Sequence, residues 1–465
     1  MKRYSLDDTI AAISTPMGES GIGIVRLSGK DALAVADSIF LSKNEGSVSN
    51  FMTYTTHYGW IVEDKKSKAI VDEIILTVMR SPKSYTREDV VEINCHGGIA
   101  ALRRVLELAL EKGCRLALPG EFTKRAFLNG RIDLAQAEAI LDIIKAKTDN
   151  ALKIGAEQLR GGLSRELNRI RKDLLHILVV LEADIDFPDE GLGPVLMRKI
   201  KKSLDDTNAR LLKLLDETRR ARLLHEGISV VICGRTNVGK SSLLNALLRR
   251  ERSIVTPVAG TTRDTVEEVM DIKGIPVKIV DTAGIIRPRD LIERKAIGRS
   301  KRYIAMADLV ILLFDGSKRL SSQDQVIMQR LKDKTVLAAI NKIDLEQKIE
   351  KDEIARKFAN TVCISAKKGR NISLLEDAIA GLAYEGKFSH HESASVTNLR
   401  HIEKIRKAQK LIAEAANSVD NNNLLSAEYV CQDIRDALLA FDDILGRRFS
   451  EELLDKIFSS FCIGK

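Results

Sequence analysis

The sequence has few aromatic residues, no closely spaced cysteines and no long apolar run. Its six cysteines form no C-x-x-C pair, which argues against a disulfide framework or a zinc site and favours a reducing compartment. They are Cys95, Cys114, Cys233, Cys363, Cys431 and Cys462. No run of about eighteen apolar residues occurs, and no apolar segment follows the basic residues Lys2 and Arg3. We therefore expect a cytoplasmic protein that does not cross a membrane.

The composition allows more than one domain. Charged residues make up 30% of the chain and hydrophobic residues 44%, which is typical of a soluble, helix-rich protein with a sizeable core. The length of 465 residues corresponds to about three domains. The net charge of +9 allows an acidic partner, although the basic residues are spread along the chain and a solvated surface is the commoner explanation.

Residues 234–241 read GRTNVGKS, which matches the phosphate-loop pattern G-x-x-x-x-G-K-S. The apolar run 228–233 precedes this loop and a helical pattern over 242–248 follows it, which is the order of strand, turn and helix that phosphate binding requires. A phosphate-loop match that stands alone can be a plain glycine turn. The surrounding pattern favours a nucleoside triphosphate site.

The residue types within the loop suit phosphate chemistry. Gly234 and Gly239 allow successive backbone N–H groups to curl around an anion. The Lys240 ammonium can neutralise the outer phosphates, and the Ser241 hydroxyl can reach a magnesium ion.

A second motif indicates which base the nucleotide carries. The segment 341–344, with Asn341, Lys342 and Asp344, ends the apolar run 336–340. A carboxylate at Asp344 can accept hydrogen bonds from both N1–H and the exocyclic amine of guanine. Adenine cannot offer this pairing, because it lacks both donors. The sequence therefore predicts GTP rather than ATP, with Ser365, Ala366 and Lys367 closing the base pocket.

Two further segments suit the γ-phosphate. Asp281 ends an apolar run and can hold the magnesium shell through water, while Gly284 can present its amide to the phosphate. Thr261 and Thr262 are candidates for a loop that senses this phosphate. The full predicted GTP site is Asn237, Val238, Gly239, Lys240, Ser241, Ser242, Thr256, Pro257, Val258, Ala259, Gly260, Thr261, Thr262, Asp281, Thr282, Ala283, Gly284, Asn341, Lys342, Asp344, Ser365, Ala366 and Lys367, with Ser241 and Thr262 as magnesium ligands.

The patterning divides the chain into an N-terminal α+β domain over 1–118 and a helical domain whose two parts are 119–222 and 382–465. A P-loop GTPase domain with a Ras-like, doubly wound sheet is predicted over 223–381, inserted in the helical domain. The fold class is thus multidomain α/β. Apolar spacings of three and four predict one long helix over about 149–184, ended by Pro188. The segment 387–395 is interpreted as the linker by which the chain returns from the GTPase domain to the helical domain.

Longer motifs outside the GTPase part carry a resemblance to a known family. They lie at 9–16, 21–29, 119–129, 133–139 and 457–465. In these motifs and in the GTPase motifs, the chain resembles the MnmE (TrmE) family of tRNA modification GTPases over essentially its whole length.

The resemblance implies a tetrahydrofolate-binding N-terminal domain that also forms a homodimer. Its folate site, for a 5-formyl or methylene derivative, would map onto Arg26, Glu92, Arg131 and Lys465, where Arg131 replaces a lysine of some members and keeps the charge. The family works with the flavoprotein MnmG in a heterotetramer. Together they add an aminomethyl or carboxymethylaminomethyl group at C5 of the wobble uridine of certain tRNAs.

The resemblance also implies how GTP would be hydrolysed. The residue after Gly284 is Ile285, which cannot orient water as a glutamine would. In the family, two GTPase domains meet and a potassium ion supplies the positive charge of an arginine finger. The potassium ligands would be Asn237, Thr256, Val258 and Thr261, and Glu293 would orient the attacking water as the catalytic residue.

Several alternatives stay open at this stage. Asn237 is also a residue type that favours a turn without any ligand role, and Glu293 is also typical of a solvated helix surface. Cys462 is either a residue near the folate or a buried structural thiol. For the whole protein, the alternative function is a regulatory or ribosome-assembly switch GTPase without covalent chemistry, because a GTPase domain alone fits both functions. A folate pocket would distinguish them.

Overall fold

The computed structural model describes residues 7–187, 194–250, 268–281, 303–384, 396–419 and 424–465. The chain divides into two compact units. The first comprises Met1–Leu141, Leu159–Leu178 and Ile434–Lys465, and the second comprises Asp142–Gln158 and Val179–Asp433.

The first unit is built on a mixed sheet with the strand order β3-β4-β5-β6-β2-β1-β7. Its strands are β1 Ile10–Ile13, β2 Gly23–Ser28, β3 Phe40–Ser42, β4 Thr55–Val62, β5 Ile70–Met79, β6 Val90–Cys95 and β7 Arg115–Leu116. Residues buried on one face alternate with partly exposed residues along β2, β5 and β6. The predicted α+β character of this part of the chain is confirmed.

Two helices, α1 Ala32–Ile39 and α2 Ile99–Glu111, cover one face of this sheet. Leu33 of α1 and Leu102 of α2 belong to the same apolar cluster as Val25 and Leu76 of the strands. Helix α1 ends at Ile39, because the chain from Phe40 onward pairs with β4. The opposite face of the sheet carries Arg26 and Glu92.

Helices α3 Glu121–Leu128 and α14 Glu451–Phe458 pack together in the first unit. Their apolar cluster contains Ala126, Phe127, Leu454, Phe458 and Phe461. Segments that are far apart along the chain therefore share one core. This packing brings the last residues, up to Lys465, against the β1–β2 region of the sheet.

The second unit contains a six-stranded sheet with the order β13-β12-β11-β8-β10-β9. Its strands are β8 Ile228–Cys233, β9 Glu268–Ile272, β10 Ile275–Asp281, β11 Leu309–Asp315, β12 Val336–Asn341 and β13 Thr361–Cys363. All pairings are parallel except that of β9 with β10. The strands are almost continuously apolar, as expected for a parallel sheet that is covered on both faces.

Within the described part of this unit, four helices flank the doubly wound sheet: α8 Lys240–Arg250, α9 Ser322–Arg330, α10 Lys351–Lys357 and α11 Ile372–Ala383. Residues of α8 and α11 share one apolar cluster with the sheet, and residues of α9 and α10 contribute to the cluster on the other face. The predicted P-loop GTPase fold is confirmed. In such sheets, ligands bind at the carboxyl ends of the parallel strands.

The remaining described helices are α4 Leu134–Lys145, α5 Asp149–Leu159, α6 Gly162–Asp186, α7 Pro194–Glu226, α12 Leu399–Ser418 and α13 Leu424–Leu445. The single helix predicted over 149–184 is wrong. The chain breaks at Arg160 and Gly161, and Gly161 has a φ of 82°, a left-handed conformation that ends a helix and that glycine adopts without strain. Pro188 and the segment 387–395 lie outside the described residues.

Within the second unit, α7 and α12 lie against each other, and the Gln409 side chain donates to Asn208 Oδ1 at 3.0 Å. They are the helices that precede and follow the GTPase sheet along the chain. None of the helices in the described ranges combines the length and apolar character needed to cross a membrane.

Candidate functional site

The phosphate loop lies between the end of β8 and the start of α8. Gly234 has a φ of 147° and Gly239 a φ of 101°. A Cβ at Gly234 would stand 2.4 Å from the Leu313 carbonyl oxygen, and one at Gly239 would stand 2.3 Å from Asn341 Nδ2. Both positions therefore require glycine for space as well as for backbone conformation.

Lys240 begins α8, and its side chain is almost completely buried. Its ammonium donates to the carbonyl oxygens of Gly234 and Arg235 at 2.9 and 2.7 Å. Ser241 and Ser242 are exposed in the first turn of the helix. The backbone N–H groups of this turn, the helix dipole and the lysine charge all favour an anion at this position.

Asn341, the last residue of β12, joins two loops of the site. Its side-chain amide donates to the Val238 carbonyl at 2.8 Å, and its Oδ1 accepts from the Ala366 backbone N–H at 2.9 Å. Asn341 is only 2% exposed. The phosphate loop and the predicted base loop are thus held together by one buried side chain.

Lys342 adds a second link from the same strand end. Its ammonium donates to the Asn237 carbonyl at 2.8 Å and to Asp315 Oδ2 at 2.6 Å. Burial would raise the pKa of Asp315, but hydrogen bonds from Lys342 and Ser317 outweigh it and hold the pKa below its usual value. Asp315 therefore stays ionised and anchors Lys342.

The predicted base-recognising carboxylate is oriented by the loop after β13. The Ser365 hydroxyl donates to Asp344 Oδ1 at 2.5 Å. This bond lowers the pKa of Asp344, and the charges of Lys368 and Lys367 lower it further. Ser365 and Arg370 exchange two backbone hydrogen bonds at 3.1 Å, which closes the loop. Asp344 is consequently a preoriented acceptor, as recognition of two guanine donors requires.

Part of the predicted GTP site lies outside the described residues. These positions are Thr256, Pro257, Val258, Ala259, Gly260, Thr261, Thr262, Thr282, Ala283, Gly284 and Glu293. Asp281 is the last residue of β10, which pairs in parallel with β8 and so ends at the same edge of the sheet as the phosphate loop.

A second candidate site lies in the first unit, on the sheet face opposite α1 and α2. Arg26 of β2 and Glu92 of β6 are directly opposite each other in the strand register. The Arg26 Nε donates to Glu92 Oε1 at 2.8 Å, and its Nη1 donates to the Gly464 carbonyl at 3.2 Å. Three of the segments predicted to bind folate thus meet here.

The fourth predicted residue, Arg131, reaches the same place through an aromatic ring that the sequence analysis missed. Its guanidinium carbon lies 4.7 Å from the centre of the Tyr85 ring, and that of Arg26 lies 5.9 Å from the same centre. The Tyr85 hydroxyl is 2.9 Å from Thr123 Oγ1 of α3. The one available signal was an isolated aromatic residue in the polar segment 80–89.

The last two residues are tied to this site by hydrogen bonds. The Phe122 N–H donates to the Lys465 carbonyl at 3.1 Å, and the Ser14 hydroxyl donates to the Gly464 carbonyl at 3.1 Å. Gly464 has a φ of 90°. Cys462 is an exposed free thiol, so its interpretation as a buried structural thiol is wrong.

Comparisons with known proteins agree with the motifs. The family model described as the MnmE helical domain matches residues 134–462, and that described as the GTP-binding protein TrmE N-terminus matches residues 9–131. A protein of Carboxydothermus hydrogenoformans is 45% identical over 99% of this chain and 100% of its own length. A protein of Clostridioides difficile is 44% identical over 99% of this chain and 100% of its own length. A protein of Bacillus subtilis is 42% identical over 98% of this chain and 100% of its own length. All three are named tRNA modification GTPase MnmE.

Proposed function

The chain belongs to the MnmE family of tRNA modification GTPases, and from this premise we propose that it hydrolyses GTP to drive modification of tRNA. The main structural support is Asn341, which joins the phosphate loop to the loop that orients Asp344. The residues proposed to bind the triphosphate and the guanine are thereby linked through one buried side chain. The predicted domain limits, 1–118, 119–222, 223–381 and 382–465, form part of the proposal.

Magnesium would be held by the Ser241 hydroxyl, with Thr262 as the second protein ligand. Ser241 fits this role because it is exposed in the first turn of α8, beside the buried Lys240 ammonium. Bound magnesium would supply charge neutralisation between the phosphates. The backbone N–H groups at the start of α8 orient the phosphates, and Asp344 selects the base.

A potassium site would use the side-chain oxygen of Asn237. The Asn237 carbonyl already accepts from Lys342, whereas its side chain is exposed and accepts no hydrogen bond within the described part of the chain. Oxygens of Thr256, Val258 and Thr261 would complete the site, and Glu293 would orient the attacking water. Bound potassium would supply the positive charge that an arginine finger would otherwise bring.

The site in the first unit would bind a 5-formyl or methylene tetrahydrofolate. Its residue types suit the ligand, because a pterin offers donors to a carboxylate and a glutamate tail needs cations. Glu92 Oε1 is occupied by Arg26, while Oε2 has no hydrogen-bond partner among the described residues and can accept from the pterin. Arg131 and Lys465 are the further predicted contacts.

The proposed reaction adds an aminomethyl or carboxymethylaminomethyl group at C5 of the wobble uridine of certain tRNAs. The folate would provide the one-carbon unit. We further propose that the protein acts in the cytoplasm as a homodimer and forms a heterotetramer with the flavoprotein MnmG. Family membership supports these finer assignments.

Two measurements on the full-length protein test the proposal. The first compares GTP hydrolysis in potassium and sodium chloride for the wild type and Asn237→Ala, with faster turnover in potassium expected only for the wild type. The second measures binding of 5-formyltetrahydrofolate by calorimetry for the wild type and Arg26→Ala. GTP hydrolysis without any folate binding would reject the modification chemistry and favour a switch GTPase.

A further inference from the structure

The Tyr85 ring lies near two of the predicted folate-binding cations, Arg26 and Arg131. It belongs to the segment that joins β5 to β6, and both guanidinium groups approach its ring within the range of a cation–π interaction. Its hydroxyl is paired with Thr123, which is completely buried on α3. The ring is therefore fixed at both its apolar body and its polar end.

The two cations differ in how their donors are used. All three guanidinium nitrogens of Arg26 have acceptors within the protein: Nε and Nη2 face Glu92 Oε1 at 2.8 and 2.7 Å, and Nη1 donates to the Gly464 carbonyl. Its side chain is also only 17% exposed. Arg26 therefore organises Glu92 and the C-terminal segment, and has little capacity left for a second anion.

Arg131 has the opposite environment. Among the residues that the structure describes, no carboxylate or carbonyl accepts from its guanidinium, and its specific side-chain contact is the Tyr85 ring at 4.7 Å. The residue is exposed. A guanidinium held against a ring keeps its planar fork of donors available, and this fork matches the geometry of a carboxylate.

Burial raises the pKa of Tyr85 above its ordinary value. The Thr123 hydrogen bond and the charges of Arg131 and Arg26 lower the pKa, but they only partly offset the effect of burial. The phenol therefore stays neutral in the physiological range. Its attraction for Arg131 acts through the ring face and not through a phenolate charge.

We propose that Tyr85 is a positioning residue that holds the Arg131 guanidinium as the receptor for the glutamate carboxylates of the folate. This assignment rests on the folate site proposed above and divides the ligand between two groups. Glu92 receives the pterin donors, Arg131 receives the glutamate end, and Arg26 keeps Glu92 in place.

The test compares two ligands that differ only at the glutamate end. Binding of 5-formyltetrahydrofolate and of 5-formyltetrahydropteroate, which lacks the glutamate, is measured by calorimetry on the full-length protein. Arg131→Ala should weaken binding of the folate about tenfold, because charge-assisted hydrogen bonds are lost, and leave binding of the pteroate unchanged. Tyr85→Leu should weaken binding of the folate about fivefold with the same selectivity.

Two matched comparisons separate positioning from packing. Tyr85→Phe keeps the ring and should retain affinity near that of the wild type, whereas pentafluorophenylalanine at position 85 keeps the shape but reverses the attraction for a cation and should reproduce the loss. The double variant of Tyr85→Leu with Arg131→Ala should bind the folate no more weakly than Arg131→Ala alone, since both changes remove one interaction.

Equal weakening of both ligands, additive losses in the double variant, or full affinity with pentafluorophenylalanine would each overturn the proposal. These outcomes differ from failure of the proposed function. If the folded wild type, with normal GTP hydrolysis, binds neither ligand, the folate site itself is rejected and the assignment of Tyr85 falls with it.

Discussion

The side-chain amide of Asn341 donates to the backbone carbonyl of Val238, 103 positions earlier in the chain, at 2.8 Å. The same side chain accepts from the Ala366 backbone N–H, so one buried residue connects three segments of the candidate nucleotide site. Its amide nitrogen also occupies the space that a Cβ at Gly239 would need. The conformation of the phosphate loop and that of the base loop are therefore interdependent.

Asn341→Ala should loosen both loops. Truncation leaves the buried Val238 carbonyl and Ala366 N–H without partners, at a cost of about 3 kcal/mol in the stability of this region. Hydrogen exchange followed by mass spectrometry should show faster exchange at the phosphate loop and at 364–370. Asn245→Ala, an exposed change on α8, is the control and should leave exchange unaltered. Unchanged protection in Asn341→Ala would contradict the proposed link.

Asp344→Asn should shift base preference away from guanine. An amide nitrogen in place of a carboxylate oxygen opposes the guanine donors, so GTP affinity should fall at least about tenfold. Binding of xanthosine triphosphate, which offers an acceptor at C2, should improve relative to GTP. Fluorescence competition with both nucleotides measures the change. The exposed Asp333→Asn is the charge-matched control, and unaltered GTP selectivity in Asp344→Asn would remove the base-pocket assignment.

Gly464→Ala should displace the C-terminal segment from the proposed folate site. A Cβ there would stand 2.4 Å from the Ile13 carbonyl oxygen and 2.9 Å from Ser14 Cα, so the backbone must move and the Gly464 carbonyl must leave Arg26. We expect folate affinity to fall while GTP hydrolysis at basal rate persists.

Gly113→Ala provides a control for backbone strain. Gly113 has a φ of 109°, similar to that of Gly464, but no atom lies within 4 Å of a Cβ built there. Calorimetry should find its folate affinity close to that of the wild type. Similar losses in both variants would mean that strain alone, and not displacement of the C-terminal segment, weakens the site.

His225 should make the stability of the second unit depend on pH near neutrality. The hydrogen bond with Asp142, whose Oδ1 is 3.3 Å from Nε2, raises the pKa of His225 above its ordinary 6.5, and burial only partly opposes this shift. Since the folded state binds the proton more tightly, this stabilisation is fully present below the ordinary pKa. It is lost as the pH rises through the raised value.

A titration by NMR of histidine-labelled protein measures this shift, with the His225 signal assigned by its absence in His225→Gln. Asp142→Asn should lower the pKa of His225 and reduce the pH dependence of thermal unfolding. His225→Gln should also reduce the pH dependence of thermal unfolding. A His225 pKa at or below 6.5 in the wild type would be inconsistent with the ion pair.

Local motifs predicted much of this molecule because their chemistry is contained in a few adjacent residues. The strand, glycine turn and helix around 228–250 form as predicted, and the family assignment is confirmed by full-length relatives. Periodicity failed at Gly161, because an apolar spacing of three and four continues through a residue whose left-handed backbone ends the helix. The predicted site residues on 256–262, 282–284 and at Glu293 lie outside the described residues and stay predictions.

The sequence by itself determined the nucleotide chemistry, the alternation of strands and helices, and the family, since each depends on neighbours along the chain. Only the tertiary structure decided which distant residues meet. The β2–β6 register places Arg26 opposite Glu92, the packing of α14 against α3 brings Gly464 to Arg26, and the β5–β6 connection sets Tyr85 against Arg131. Such contacts depend on strand register and core packing, which no local pattern encodes.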